Sequence, residues 1–131
     1  MPDINISDVN TQVDDLLFLA AVLRFGFGID PERTTSKIAK RWTASGGNIG
    51  SVNAFVSLPA MVGHIPSGVY EYSVSDHSLA RVSQELISAT DIVIAASADL
   101  RKIVSKYGTF GLRIAIMDAG CALSAVRRVC R

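Results

Sequence analysis

The chain has 131 residues, 49% apolar and 19% charged, with a formal net charge of +1, which describes one folded domain. A chain of this size buries roughly two thirds of the surface it exposes when unfolded, so neither a metal nor a disulfide is needed to fold it. The hydropathy excludes intrinsic disorder, no period repeats, no apolar run approaches the ~20 residues that cross a bilayer, and the acidic start MPDINISDVN is unlike a signal peptide. Export and membrane insertion are therefore not expected.

Val9, Val13, Leu16, Leu17 and Ala20 recur at helical spacing behind the capping candidates Ser7 and Asn10, and Gly26 and Gly28 end the pattern. Phe18 and Leu19 widen the apolar face, which predicts a subunit contact and a homodimer through this first helix. Asp30-Pro31-Glu32 reads as the start of a second, basic helix running to about Ala44. Three glycines within Gly46-Gly47-Asn48-Ile49-Gly50 then interrupt regular structure. Val52–Leu58 alternates as a short strand, and Met61–Ile65 and Val69–Val74 flank the turn signal Pro66-Ser67-Gly68 as a hairpin.

From Gly68 onward the pattern predicts alternation. Val69–Val74 reads as strand, Asp76 as the cap of a helix carrying Leu79, Val82, Leu86 and Ile87, and Asp91–Ala96 as a buried strand. Ser97 caps the next helix, with Leu100, Ile103, Val104 and Tyr107 on one side and Gly108 at its end. Phe110–Met117 reads as a third strand, with Leu112, Ile114 and Ile116 at the sheet centre, and Leu123, Val126 and Cys130 line a last helix. The predicted fold is α/β or α+β. It is a single domain, residues 1–50 mainly helical with a glycine loop and 51–131 a small mixed sheet with three strand-helix units.

Only Cys121 and Cys130 are present; nine residues apart on one helix they cannot bridge, and the expectation is two reduced thiols with at least one in the core. No spacing suggests a metal, and no cofactor motif or catalytic signature stands out. If the strands are parallel, Asp76, His77, Ser97, Asp99 and Asp118 lie past strand ends, where open sheets place ligands. Asp76 and Asp118 could then hold Mg²⁺ and His77 act as a base, although helix capping is the commoner use of such acids. His64 reads as structural.

Charge is segregated: residues 101–131 carry one acid against seven bases, and residues 31–58 one acid against four. An anionic partner such as single-stranded RNA is the corresponding expectation, with Lys37, Lys40, Arg41, Arg127, Arg128 and Arg131 as contacts. Thr35–Ser45 with Ile49 and Val52 resembles the helix-turn-helix of DNA-binding repressors, with Ile38, Ala39, Ala44, Ile49 and Val52 at its packing positions, but Thr43 stands at the turn where glycine is usual. Gly47-Asn48-Ile49-Gly50 matches the minimal loop of KH domains, without the preceding strand, and the same glycines could form a phosphate nest.

The chain runs to Val129-Cys130-Arg131 inside an apparent helix, as a core does after losing a disordered tail. With the small α/β layout over Gly68–Arg131 and the helical first part, its size and layout resemble the packaging accessory protein of the cystoviruses, the segmented double-stranded RNA bacteriophages. The resemblance rests on no motif. It implies a non-enzymatic subunit, cytoplasmic or inside a virion, that assists RNA packaging beside viral polymerase and capsid proteins. The alternatives are a helix-turn-helix DNA-binding protein and a small cytosolic enzyme using the strand-end acids.

Overall fold

The computed structural model describes residues 6–131, with side chains from residue 14 onward. The elements are α1 (Ile6–Phe27), β1 (Val52–Leu58), β2 (Gly68–Ser73), β3 (Ser78–Ser83), β4 (Val93–Ala98), α2 (Leu100–Tyr107) and α3 (Gly111–Val129). The four strands form one sheet in the order β3-β2-β1-β4 with every pair antiparallel. The fold is α+β, with helices gathered on one face of an antiparallel sheet.

Alternation in β1 sends Val52, Ala54, Val56 and Leu58 to that helical face, where they meet Leu19, Leu23 and Phe27 of α1, Tyr70 and Tyr72 of β2, and Ala122 of α3. Phe27, Val56 and Leu58 are fully buried, each worth roughly 1.5–3 kcal/mol relative to exposure. Odd-numbered β1 positions face the other way. There Ser57 accepts a hydrogen bond from the Ile87 amide at 3.0 Å, which ties the 84–92 loop to the sheet.

Several sequence expectations are corrected. The basic helix over 31–44 does not form: the segment is irregular, and Ile29 and Arg41 bridge antiparallel across it. Thr34 and Thr35 explain this, because their hydroxyls accept from the amides of Lys40 at 3.0 Å and Ile38 at 3.2 Å, offering the backbone partners that compete with a helix. Asp30 caps only a turn, accepting from the Glu32 amide at 3.0 Å. Met61–Ile65 makes a tight bridged turn in place of a strand. Asp76 lies in the β2–β3 turn, not before a helix; Leu79 belongs to β3 opposite Tyr72, since its pattern suits strand as well as helix.

The Phe110–Met117 run is helical. Within α3 the residues Gly111, Ala115, Asp118, Ala122 and Ala125 are buried at spacings of three and four, while Leu112 and Ile116 are 52% and 64% exposed and Ile114 is half-buried. The expected threefold strand-helix alternation with parallel pairing is therefore absent. Ser97 lies in β4, and Asp99 caps α2, accepting from the Arg101 amide at 3.1 Å. Both Cys121 and Cys130 are exposed.

By length and composition alone, the nearly continuous helical stretch Leu100–Val129 would suffice to cross a membrane. It turns at Gly108–Phe110, and α3 packs against α1, α2 and the sheet. In α1, Leu19, Val22, Leu23 and Phe27 face the core, whereas Leu17 and Phe18 are exposed. The side chains of Ser7, Val9, Asn10 and Val13 lie outside the described residues.

Candidate functional site

The glycine loop Ser45–Ser51 is pinned from several sides. Asp118, buried in mid-α3, accepts the Gly46 amide through both carboxylate oxygens at 3.0 and 2.9 Å. Ser45 accepts from the Gly50 amide at 2.8 Å through its hydroxyl and from the Asn48 amide at 3.0 Å through its carbonyl, and Ile49 donates to Gly46 at 3.3 Å. With four amides spent in this way, the loop is not a phosphate nest. It holds a single helical turn, Gly46–Asn48, so neither the recognition helix of a helix-turn-helix nor a free KH-type clamp exists.

Gly47 has a left-handed backbone with φ of 58° and is exposed. A Cβ there would stand 2.5 Å from the Tyr107 hydroxyl and 2.9 Å from the Lys106 ammonium. The last turn of α2 thus brings a phenol and a cation together over one glycine, with the Lys106 nitrogen 5.6 Å from the Tyr107 ring centre. No acid occurs between Ser45 and Ser51. Helical periodicity makes Tyr107 a packing residue and does not pair it with Lys106; the signal in the sequence is Lys-Tyr-Gly at a helix end together with the glycine loop.

The other residues singled out from sequence do not converge. Lys37 is exposed and Lys40 half-buried in the irregular segment, and Arg127, Arg128 and Arg131 are exposed at the end of α3. Arg41 turns inward, donating to the carbonyls of Gly50 at 2.9 Å and Val52; burial lowers its pKa from the ordinary arginine value, opposed by Tyr72 and Asp118. Asp76 accepts from the Ser78 hydroxyl at 2.8 Å in the hairpin turn, Asp99 lines a different cavity from Asp76, and Asp118 serves Gly46. Among the described residues no three potential metal ligands cluster. His64 is exposed.

His77 also has a left-handed backbone, φ 52°, and its Nδ1 lies 2.7 Å from the Tyr72 hydroxyl. Burial, with Arg24 nearby, holds His77 below the usual histidine range, and burial raises the Tyr72 phenol above its own. The Tyr72 hydroxyl and the His77 ring thus share one hydrogen bond. This pair borders an apolar cavity of about 520 Å³ between α1 and the β2–β3 hairpin.

No family profile matches this sequence and no curated protein matches it. Solved structures do. A nitroreductase-like protein from Anabaena variabilis superposes with a TM-score of 0.79 at 18% identity, covering 91% of this chain and 28% of that one. The E. coli microcin synthetase McbBCD complex, solved with a truncated pro-microcin bound, gives 0.67 at 17% identity, covering 87% of this chain and 48% of the matched one. The chain thus spans less than half the length of either neighbour, and the second neighbour works in a multi-protein complex. Neither is a cystovirus packaging protein, which overturns the resemblance drawn from size and layout and the viral RNA-packaging role it implied. At these identities the likeness is one of fold: the α+β arrangement is the one these nitroreductase-like and synthetase proteins share.

Proposed function

We propose that the chain is part of an oxidoreductase of the nitroreductase kind, in which Tyr107 and Lys106 over Gly47 face the reacting groups. The observation that carries this reading is the convergence of a phenol and an ammonium on one exposed left-handed glycine, on a fold like that of a nitroreductase-like protein. Reducing a nitro group to a nitroso group consumes two electrons and two protons and releases water. Negative charge builds on the nitro oxygens as the electrons arrive, and preorganised donors stabilise that charge and pass protons to it. Tyr107 O–H and Lys106 N–H are donors of that type.

Side chains hold no hydride, so a nicotinamide or a flavin supplies the electron pair when bound. The site suits the reacting ring of such a carrier in that it presents two donors, while the carboxylate at the loop, that of buried Asp118, is taken up by the Gly46 amide; Lys106 and Tyr107 would contact that ring. The test is NADPH oxidation dependent on a nitroaromatic, with and without added flavin. Wild type should turn over, and Tyr107→Phe should lose at least tenfold in kcat with its Tm unchanged. No turnover by wild type, or full activity in Y107F, would overturn the reading.

A second reading, a non-catalytic interaction subunit, is favoured by a separate observation. Phe110, Leu112, Ile116, Met117 and Leu123 are all exposed on or beside α3, a concentration of large apolar side chains that marks a contact surface. Leu17 and Phe18 of α1 suit self-association in the same sense. Sedimentation across a concentration series, alone and after substitution in α3, separates an associating subunit from a monomer.

A further inference from the structure

The sheet face turned away from α1 and α3 carries a cleft of about 550 Å³, reaching from the start of β1 to the first turn of α2. Two of the residues that line it each carry a buried oxygen without any hydrogen-bond partner among the described residues: the Ser51 hydroxyl and the Asn53 side-chain carbonyl. Ser51 is 3% exposed, and its backbone is fixed because its carbonyl accepts the Asp99 amide at 2.8 Å. Buried polar groups are nearly always satisfied, so two orphans in one cleft mark places where a ligand supplies the missing partners.

The orphans also state what is missing. Asn53 donates its amide N–H to Glu71 at 3.2 Å, which fixes the amide orientation and leaves an acceptor that needs a donor from the ligand. Ser51, two residues earlier on the same face and so roughly 7 Å away along the strand, can give or take a hydrogen bond. Charge in the cleft is divided in the same way. The Glu71 carboxylate sits beside Asn53, whereas Arg41, held on the carbonyls of Gly50 and Val52, lies at the Ser51 end. Lys102 and Asp99, whose amide is bonded to Ser51, also line that end, so two cations outweigh one carboxylate there. Phe55 contributes an apolar wall.

We propose that this cleft binds an amino-acid-like zwitterion, its carboxylate at Arg41, Lys102 and the Ser51 hydroxyl and its ammonium at the Asn53 carbonyl and Glu71. A simple anion leaves Asn53 unsatisfied and is repelled by Glu71; a simple amine leaves the excess positive charge of Arg41 and Lys102 over Asp99 unanswered. The cleft shares Gly50 and Ser51 with the end of the glycine loop, but Gly47, Lys106 and Tyr107 do not line it, and the proposal does not depend on the redox reading.

Calorimetric titration of the full chain with L-phenylalanine, L-leucine, L-serine and L-glutamate tests it, with N-acetyl-L-phenylalanine and L-phenylalaninamide as controls lacking one charge each. At least one free amino acid should bind, and its acetylated and amidated forms should each bind at least tenfold more weakly. Lys102→Gln and Glu71→Gln, both at exposed positions, should each weaken the free amino acid about tenfold while leaving Tm unchanged. Absence of binding by all four amino acids would overturn the proposal. So would equal binding of the acetylated form, which describes an anion site, or of the amide, which describes a cation site.

Discussion

Asp118 and Gly46 stand 72 positions apart in the chain and are joined by both oxygens of one carboxylate on one backbone amide, at 3.0 and 2.9 Å. This contact seats the glycine loop on the last helix, and through it the loop meets Tyr107 and Lys106.

Removing that carboxylate strands the Gly46 amide in a part-buried place. Asp118→Ala should therefore cost about 1.5–3 kcal/mol, the range for hydrogen bonds to charged groups. Asp118→Asn keeps one carbonyl acceptor and should cost less. Chemical denaturation of the two variants checks the order; equal losses would show that the isosteric amide recovers nothing and that the charged carboxylate, with both oxygens on the Gly46 amide, is what Asp118 provides.

The Tyr72–His77 pair gives a pH dependence. Because the folded state holds His77 below its ordinary value of 6.5, the unfolded chain takes up the proton first, and stability falls as pH drops through and below that value. Substituting His77→Asn, a residue that tolerates the left-handed backbone, should remove this component. The Tm difference between pH 7.5 and pH 5.5 should shrink in the variant; an unchanged difference would show that His77 contributes nothing to it.

Asp30 acts in the same direction at lower pH. Its pKa lies below the ordinary 3.8, chiefly because Arg33 donates to it, at 2.6 Å. Its contribution is thus complete above pH about 4 and is lost on acidification through the lowered folded value. Asp30→Asn should lower Tm at pH 7, and the difference from wild type should shrink as pH is lowered below the ordinary 3.8, as read by thermal melts of both proteins at a series of pH values.

The exposed face of α3 makes its own prediction. Ile116 and Met117 are 64% and 65% exposed, so Ile116→Glu and Met117→Glu should change monomer stability by no more than about 0.5 kcal/mol, as surface substitutions do. If that face meets another chain, either variant should shift association at least tenfold toward monomer in sedimentation. A loss of several kcal/mol in the monomer would instead place these side chains in the core.

The parts of this fold legible in the sequence are those where periodicity has one solution. The helical repeat through Leu16, Leu17 and Ala20 and the strict alternation of Val52, Ala54, Val56 and Leu58 admit only a helix and a half-buried strand, although the face of α1 that is buried is Leu19, Leu23 and Phe27 and Leu17 is exposed. Phe110–Met117 admits two, because a short run rich in β-branched and large residues suits a buried strand or a helix with an exposed apolar face, and only contact with α1 and α2 decides. The 31–44 segment has helix-starting residues, but its threonine hydroxyls satisfy the backbone locally. Of the candidate site, the glycine loop was visible as an interruption. Its partners Asp118, Tyr107 and Lys106 were not, since nothing local in the sequence says which helix will lie against which loop.

The measurement that tests the central claim most directly compares Gly47→Ala with Gly108→Ala in nitroaromatic reduction, each rate corrected for folded fraction. Gly47 is left-handed (φ 58°, ψ 16°), where alanine costs about 1–2 kcal/mol, whereas Gly108 (φ 58°, ψ −141°) sits where glycine is nearly the only residue found, so G108A is the more strained of the two and the folded-fraction correction is larger for it. A Cβ at Gly108 meets nothing within 4 Å, whereas at Gly47 it displaces the Tyr107 hydroxyl and the Lys106 ammonium. If those two groups serve the reaction, G47A loses at least tenfold in kcat and G108A keeps the wild-type rate; equal rates in the two variants would contradict the assignment of the site.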